Sequence, residues 1–146
     1  MCRKWTAGLV AQFIVVSPLQ ITPPLAQSVY YKEYQSSPRR FRGFCGECGS
    51  SLIWRSDDKV DTLDLFLGTI DETWLLGAKV EGSERETAQG IVVERVGGLG
   101  KELCTPNQYQ FYYANAISGV TDLLEGGQKF LQENTHGLWM ECGKDA

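Results

Sequence analysis

A pair of cysteines separated by two residues places the strongest constraint on how this chain can fold. The motif is Cys45-Gly-Glu-Cys48, and a second glycine follows at Gly49. A cysteine pair with this spacing and these glycines is typical of a zinc knuckle, a tight turn that directs two sulfurs at one metal ion. Structural zinc takes about four ligands. The motif therefore predicts a zinc-binding turn that supplies half of the ligands itself.

The segments on either side of the knuckle have the composition of β-strands. Residues 41–44 lead into it and residues 51–55 leave it, which predicts a β-hairpin with the metal at its tip. Further apolar or alternating segments predict strands over 9–16, 28–34, 62–67 and 91–95. We therefore expect a mainly β fold with two packed sheets. Residues 118–134 are compatible with one late helix, although Gly126 and Gly127 interrupt the helical pattern.

The length of the chain favours one core. With 146 residues, it is long enough for a single domain but short for two. We expect a zinc-binding β domain over residues 1–115. Residues 116–146 are expected to form a C-terminal extension that is partly helical or loose.

Charge and hydropathy restrict the possible partners. The net charge is −4 and no long basic block is present, which argues against a nucleic-acid partner. No run reaches the roughly 18 apolar residues of a membrane span, so no membrane partner is expected. The only basic cluster is Arg39, Arg40 and Arg42. It is either a solvated turn or a contact for an anionic ligand beside the metal.

The first residues allow two interpretations of where the protein resides. A basic start, an apolar run over 7–16 and a small residue at Ala26 resemble a secretory signal peptide. However, Gln12 interrupts the run, which also reads as a buried strand closed by Pro18. The cysteine spacing fits a metal site better than a disulfide framework. We expect a cytoplasmic protein with reduced thiols, and a secreted β-protein with an oxidised knuckle is the alternative.

Four pieces of the sequence carry a family resemblance. They are Cys-Arg-Lys-Trp-Thr at 2–6, Tyr-Gln-Ser-Ser at 34–37, Arg-Gly-Phe-Cys-Gly-Glu-Cys-Gly-Ser at 42–50 and Gly-Thr-Ile-Asp at 68–71. In this order they resemble the glutathione-dependent formaldehyde-activating enzyme (GFA) family, which includes centromere-protein-V-like members. The resemblance implies a β-tent (Mss-four-like) fold with zinc as cofactor. It also implies a carbon–sulfur lyase that acts on a glutathione–formaldehyde adduct; the alternative is a non-catalytic zinc-binding or interaction module.

The resemblance also implies which cysteines bind metal. Cys45 and Cys48 match the knuckle of the family's structural zinc site, and Cys2 matches the last cysteine of its catalytic site. The earlier cysteines of both sites have no counterpart here, so the chain resembles an N-terminally truncated member whose catalytic residues are not assigned. Cys2 is then a vestigial ligand, a third ligand for the knuckle zinc, or a simple thiol.

The remaining candidates concern the thiol substrate and the other cysteines. By resemblance, Ser36 and Ser37 lie near the zinc-bearing face. They would hydrogen-bond to the carboxylate of a thiol such as glutathione, with Arg39 or Arg42 supplying charge; alternatively, the serines end a strand in a turn. Cys104 is either a buried thiol or a fourth ligand. The outlying candidates are Asp71 as a turn residue or base, His136 as a loop residue or base, and Cys142 as an exposed thiol. No oligomeric state is predicted.

Overall fold

The chain forms two compact units of mainly β structure. The computed structural model describes residues 3–132, with 37% strand and 19% helix overall. One unit extends to Leu99 and the other begins at Gly100. The mainly β fold expected from the sequence is confirmed. The division into a domain and an extension at residue 115 stays a prediction.

The first unit holds most of the regular structure. Its strands are β1 Phe13–Val16, β2 Tyr31–Ser37, β3 Arg40–Cys45, β4 Ser51–Ser56, β5 Lys59–Phe66, β6 Gly77–Lys79, β7 Arg85–Thr87, β8 Gly90–Val92 and β9 Arg95–Gly97. Two short α-helices, α1 Arg3–Thr6 and α2 Glu72–Leu75, accompany them. Single 3₁₀ turns occur at Pro18–Gln20, Leu25–Gln27 and Leu67–Thr69.

A five-stranded antiparallel sheet is the main element of this unit. Its strand order is β1-β5-β4-β3-β2, so the chain runs back and forth from β2 to β5 and β1 pairs with the far side of β5. Among the described residues, β1 and β2 are the edge strands. The register of β2 against β3 shifts between Gln35 and Ser37, which marks a bulge in that edge. Two further two-stranded sheets pair β6 with β9 and β7 with β8.

The core of the first unit is formed mainly by residues of β4, β5 and the turn that follows β5. Ile53 on β4 is only 1% exposed and lies opposite Gly43 on β3 and Leu65 on β5. Leu63, Phe66 and Leu67 are buried as well. A side chain at Gly43 would not fit, because its Cβ would lie 2.5 Å from the Tyr31 hydroxyl oxygen and 2.6 Å from Ile53 Cγ1. Glycine therefore lets the Tyr31 ring lie across β3 and close the core.

The predicted strands agree with the structure in kind but not always in extent. The hairpin around the knuckle is confirmed as β3 and β4. The strand expected over 9–16 is limited to Phe13–Val16, and the one expected over 28–34 begins and ends three residues later. The segment 91–95 is divided between β8 and β9.

The second unit contains less regular structure. It has a short helix, α3 Gly100–Cys104, a 3₁₀ turn at Tyr113–Asn115, and two parallel strands, β10 Tyr109–Gln110 and β11 Gln128–Lys129. Phe130 is 1% exposed, and its ring contacts those of Tyr109 and Phe111 at centroid distances of 5.6 and 5.9 Å. Within residues 3–132, every helix is too short or too polar to span a membrane.

The prediction of a late helix over residues 118–134 is wrong for residues 118–132, the part that the structure describes. Residues 118–127 form turns and irregular structure, and β11 follows. Gly126 and Gly127 both have positive φ angles, of 88° and 67°, which a right-handed helix cannot contain. The Ile117 carbonyl closes a turn with the N–H groups of Val120 and Thr121 instead of starting a helix.

Candidate metal centre

The knuckle is held in shape by backbone hydrogen bonds. Cys45 ends β3, and its N–H donates to the Ser50 carbonyl at 2.9 Å. The Gly49 N–H donates back to the Cys45 carbonyl at 2.8 Å, and Gly49 has a φ of 79°, a conformation that favours glycine. The Gly46 N–H donates to the Tyr30 carbonyl at 2.6 Å. The turn is thus tied both to itself and to the residue before β2.

The two knuckle thiols differ in exposure and chemistry. Both are free, with Cys45 half-buried and Cys48 exposed. Cys48 Sγ lies 3.2 Å from Ser50 Oγ. Hydrogen bonding by the Ser50 hydroxyl lowers the pKa of Cys48, and the Ser50 backbone and the Cys45 thiol act in the same direction. The turn therefore brings together two sulfurs and favours the thiolate form of Cys48, the form that binds zinc.

The ligands available in the described residues suffice for half of a zinc site. Within residues 3–132, no three Cys, His, Asp or Glu side chains are grouped so that they could hold one metal ion. Cys104 is half-buried at the end of α3, in the second unit. Cys2, His136 and Cys142 lie outside the described residues. The two knuckle thiols fit zinc in type and spacing, but tetrahedral coordination needs further ligands.

The arginine cluster does not act as one group. Arg39 lies in the turn between β2 and β3, and Arg40 begins β3, so both are at the opposite end of that strand from the knuckle. Asp58 forms ion pairs with both: it accepts a hydrogen bond from Arg40 Nη1 at 2.5 Å, and its other carboxylate oxygen lies 2.6 Å from Arg39 Nη2. The bond from Arg40, with the nearby charge of Arg39, lowers the pKa of Asp58. The two guanidinium groups therefore share a single carboxylate partner.

Arg42 has a different environment, nearer the knuckle. Its guanidinium carbon lies 5.1 Å from the centroid of the Trp5 ring. Its Nη1 is 3.5 Å from the Tyr34 hydroxyl, and its Nε is buried without a hydrogen-bond partner. Trp5 in turn packs edge-on against Phe66, at a centroid distance of 5.2 Å. The hydroxyl of Ser51, the first residue after the knuckle loop, donates to the Trp5 carbonyl at 3.2 Å.

The serines expected near the substrate lie within β2. Ser36 is half-buried, and its hydroxyl donates to the Arg40 carbonyl at 3.3 Å. Ser37 ends the strand opposite Arg40 and is exposed. Both serines, like Arg39, are at the end of the β2–β3 pair that lies away from Cys45. Their role as substrate contacts stays a prediction. Asp71 precedes α2, where its carbonyl accepts hydrogen bonds from the backbone of that helix.

Sequence reasoning missed a cluster of charged residues in the first unit. Arg55 on β4 forms a two-point ion pair with Glu33 on β2, with N–O distances of 2.6 and 2.8 Å. Tyr31 donates to the same carboxylate at 2.8 Å, and the Arg55 guanidinium lies 4.0 Å from the Phe41 ring centroid. Hydrogen bonds from Arg55 lower the pKa of Glu33, while burial is the main cause that raises the pKa of Tyr31. Only the strand register brings these residues together, so spacing along the sequence gave no signal.

Comparisons with known proteins do not assign a family. Neither protein-family models, nor curated proteins, nor solved structures give a match to this chain. The motifs of the sequence and the geometry of the knuckle are therefore the grounds on which a function can be proposed.

Proposed function

We propose that this chain is a zinc-binding protein of the GFA type, with a β-tent fold, whose metal is held in part by Cys45 and Cys48. The observation that carries the proposal is the pair of free thiols at the tip of the β3–β4 hairpin, with hydrogen bonds that favour the thiolate of Cys48. Zinc is the metal that best matches two sulfur ligands in a tight turn of this kind.

The two knuckle cysteines would each supply a sulfur ligand, and different neighbours hold each of them in place. Cys45 is fixed by the backbone of β3, and Cys48 is oriented by the hydroxyl of Ser50. Because Cys48 is exposed, its side of the turn is open to further ligands. Cys2 is the proposed third protein ligand, on the ground of resemblance alone. Zinc, when bound, supplies the chemistry of lowering the pKa of a thiol that joins its ligand shell.

The proposed reaction is that of the family the motifs resemble. A carbon–sulfur bond forms between the sulfur of glutathione and the carbon of formaldehyde while the carbonyl π bond breaks, and the thiol proton ends on the former carbonyl oxygen as a hydroxyl. The lyase direction breaks the carbon–sulfur bond and returns that proton to the sulfur. The chain would contribute an open thiol-binding position beside the knuckle. We place the protein in the cytoplasm, where the thiols that this chemistry needs stay reduced.

A second candidate is a non-catalytic zinc-binding or interaction module. It is favoured by the number of ligands, because a catalytic zinc takes about three protein ligands and residues 3–132 group no three of them. Both candidates share zinc binding at the knuckle. They differ in whether formaldehyde and glutathione react faster in the presence of the protein.

Zinc content tests the shared part of the proposal. Elemental analysis of the purified full chain should give no more than one tightly held zinc ion per chain. Zinc should be lost in Cys45→Ser and Cys48→Ser but kept in Cys104→Ser, the matched control at a cysteine of the other unit. Two tightly held ions, or zinc that survives both knuckle substitutions, would contradict the proposal.

A rate measurement separates the two candidates. The lyase predicts that the zinc-loaded chain accelerates formation of S-hydroxymethylglutathione, and that Cys48→Ser removes the acceleration. The module predicts a zinc-loaded chain that leaves the uncatalysed rate unchanged. Cys2→Ser serves as a further variant, since loss of zinc there would identify the third ligand.

A further inference from the structure

Two serines of the chain are each followed by a proline, and the structure gives them different surroundings. They are Ser17, before Pro18, and Ser37, before Pro38. A proline has no backbone N–H and holds the residue before it in an extended conformation. An extended serine with a reachable hydroxyl suits a protein kinase, because the catalytic carboxylate of the kinase must accept the proton of that hydroxyl. For a kinase that requires only the proline, the sequence makes both serines equal candidates.

The hydroxyl of Ser17 is already engaged in the local structure. Ser17 is half-buried and precedes the 3₁₀ turn Pro18–Gln20, and its hydroxyl accepts the Leu19 N–H at 3.4 Å. The Gln20 side chain accepts the Ser17 N–H at 2.8 Å, which completes a capping box. A kinase would have to open this box before the Ser17 hydroxyl could reach a phosphate donor.

The hydroxyl of Ser37 is available by contrast. Ser37 is exposed and ends β2, an edge strand of the five-stranded sheet. Within residues 3–132, the Ser37 hydroxyl has no hydrogen-bond partner, whereas the neighbouring Ser36 is half-buried and donates to the Arg40 carbonyl. A kinase can therefore reach the Ser37 side chain without breaking a side-chain hydrogen bond.

The turn that follows Ser37 is exposed and unfavourable in conformation. Pro38 and Arg39 join β2 to β3, and both are exposed. Arg39 has a φ of 63°, in the left-handed region that is unfavourable for a residue with a side chain. A turn that holds such a residue opens at less cost than a relaxed one. This helps the segment around Ser37 to enter the extended cleft of a kinase.

Two arginines beside Ser37 supply positive charge for a phosphate at that position. The strand register places Ser37 opposite Arg40, so their Cβ atoms are about 5 Å apart on the same face of the sheet. The side chain of Arg39, in the turn, is 63% exposed. Both guanidinium groups share the one carboxylate of Asp58, at 2.6 and 2.5 Å. A phosphate with nearly two negative charges and three acceptor oxygens is a stronger guanidinium partner than one partly exposed carboxylate.

We propose that Ser37 is a phosphorylation site for a proline-directed protein kinase, and that Arg39 and Arg40 bind the phosphate once it is attached. In the transfer, the Ser37 oxygen attacks the γ-phosphorus of ATP, the bond from that phosphorus to the β,γ-bridging oxygen breaks, and ADP leaves. The serine proton passes to the catalytic carboxylate of the kinase. The phosphate then competes with Asp58 for Arg39. This end of β2 lies away from Cys45, so the modification does not depend on zinc.

Phosphorylation of the folded full chain by a mitogen-activated protein kinase, with ATP and magnesium, tests the site. This kinase class requires the proline but no basic residue, so its sequence preference treats the two serines alike. Tandem mass spectrometry should find phosphate on Ser37 about 10-fold faster than on Ser17, the factor expected if opening the capping box costs as much as a typical helix cap contributes. Ser37→Ala should remove this incorporation, and Ser17→Ala should leave it unchanged.

Two synthetic peptides, covering residues 12–22 and 32–42, are the control, because the fold holds neither serine in them. The rate ratio in the folded chain is divided by the ratio in the peptides, so any intrinsic preference of the kinase cancels. A corrected ratio of one or below would overturn the proposal. Absence of phosphate on Ser37 in the folded chain would overturn it as well.

Phosphorus NMR of the phosphorylated chain tests whether the arginines bind the phosphate. The second pKa of an ordinary phosphoserine is about 6. Guanidinium partners favour the dianion, so the pKa of phosphorylated Ser37 should be lower, and Arg39→Gln should raise it. Arg39→Lys, which keeps the charge but loses the planar donors, should give an intermediate pKa. Arg85→Gln, at an exposed arginine on β7, should leave the pKa unchanged, and the same pKa in Arg39→Gln would refute the arginine contact.

Discussion

The carboxylate of Glu33 connects two strands that are not neighbours in the sheet. It lies on β2 and binds Arg55 on β4, and the guanidinium crosses β3 above the Phe41 ring. Gly43 lies opposite Glu33 on the intervening strand and has no side chain to block the contact. The pair thus fixes the register of three strands through two hydrogen bonds. Its partial burial makes it stronger than a fully exposed ion pair.

Glu33→Gln should destabilise the fold by about 1–2 kcal/mol at pH 7, because one member of a charged, hydrogen-bonded pair is lost. The bond to Arg55 lowers the pKa of Glu33 below its unfolded value of about 4.3. The stabilisation is therefore full above that value and is lost as the pH falls through the folded pKa. Urea denaturation at pH 7 and at decreasing pH should show the difference from wild type shrinking. Glu86→Gln, at an exposed position on β7, should change little at any pH.

Ser50 is the residue that most affects the reactivity of Cys48. Its hydroxyl is the first cause of the lowered pKa of that thiol. In metal-free protein, Ser50→Ala should move the pH dependence of Cys48 alkylation by iodoacetamide to higher pH, because less thiolate is present at a given pH. Mass spectrometry of the labelled peptide measures the rate. Ser36→Ala is the control, and an unchanged profile in Ser50→Ala would mean that the hydroxyl does not stabilise the thiolate.

At the scale of elements, Gly43 is the position on β3 where an added side chain would clash with the packed core of the five-stranded sheet. Gly43→Ala should destabilise the protein by about 1–3 kcal/mol, because the new Cβ would overlap Tyr31 and Ile53, and a packed core yields only partly. Thermal and urea denaturation of the variant and of wild type measure the change in the free energy of unfolding. Gly68→Ala is the matched control, since a Cβ there meets nothing within 4 Å and should change the stability by less than about 0.5 kcal/mol. Equal melting temperatures for Gly43→Ala and Gly68→Ala would contradict the close packing of Tyr31 over β3.

The hairpin could be predicted from sequence because each of its signals is local. Residues 41–44 and 51–55 have strand composition, and the cysteines and glycines between them indicate a turn. The limits of β2 could not be predicted in this way. Ser36 and Ser37 suggest a break, yet both belong to the strand, because a bulge lets Ser37 pair with Arg40.

Prediction of the candidate site from the sequence meets the same limit, because it too depends on strand pairing. Arg39 and Arg42 look alike in the sequence, and their difference depends on the pairing of Arg40 with Ser56, which brings Asp58 to the start of β3. Strand register is a long-range property, and neither periodicity nor composition contains it. The knuckle thiols needed no such information because their spacing alone brings them together.

At the scale of the whole molecule, zinc bound only by the folded chain should raise its stability by mass action. At a free zinc concentration about 100 times the dissociation constant, the gain is about 2.7 kcal/mol. For a chain of this size we expect the melting temperature to rise by about 5–10 °C. Differential scanning calorimetry with zinc and with a strong chelator measures the shift. The shift should disappear in Cys48→Ser and persist in Cys104→Ser, and identical melting in zinc and chelator would show that the metal does not stabilise the fold.

The bulge in β2 bears on how this protein behaves at high concentration. An edge strand offers free backbone groups on which another chain could be added, and long flat edges are templates for aggregation. Here one edge is interrupted at Gln35–Ser37 and carries the exposed cation of Lys32, and the other, β1, is only four residues long. Strand-by-strand growth between molecules is disfavoured at both ends. The irregularity that displaced the serines from their expected turn thus also helps to keep neighbouring chains apart.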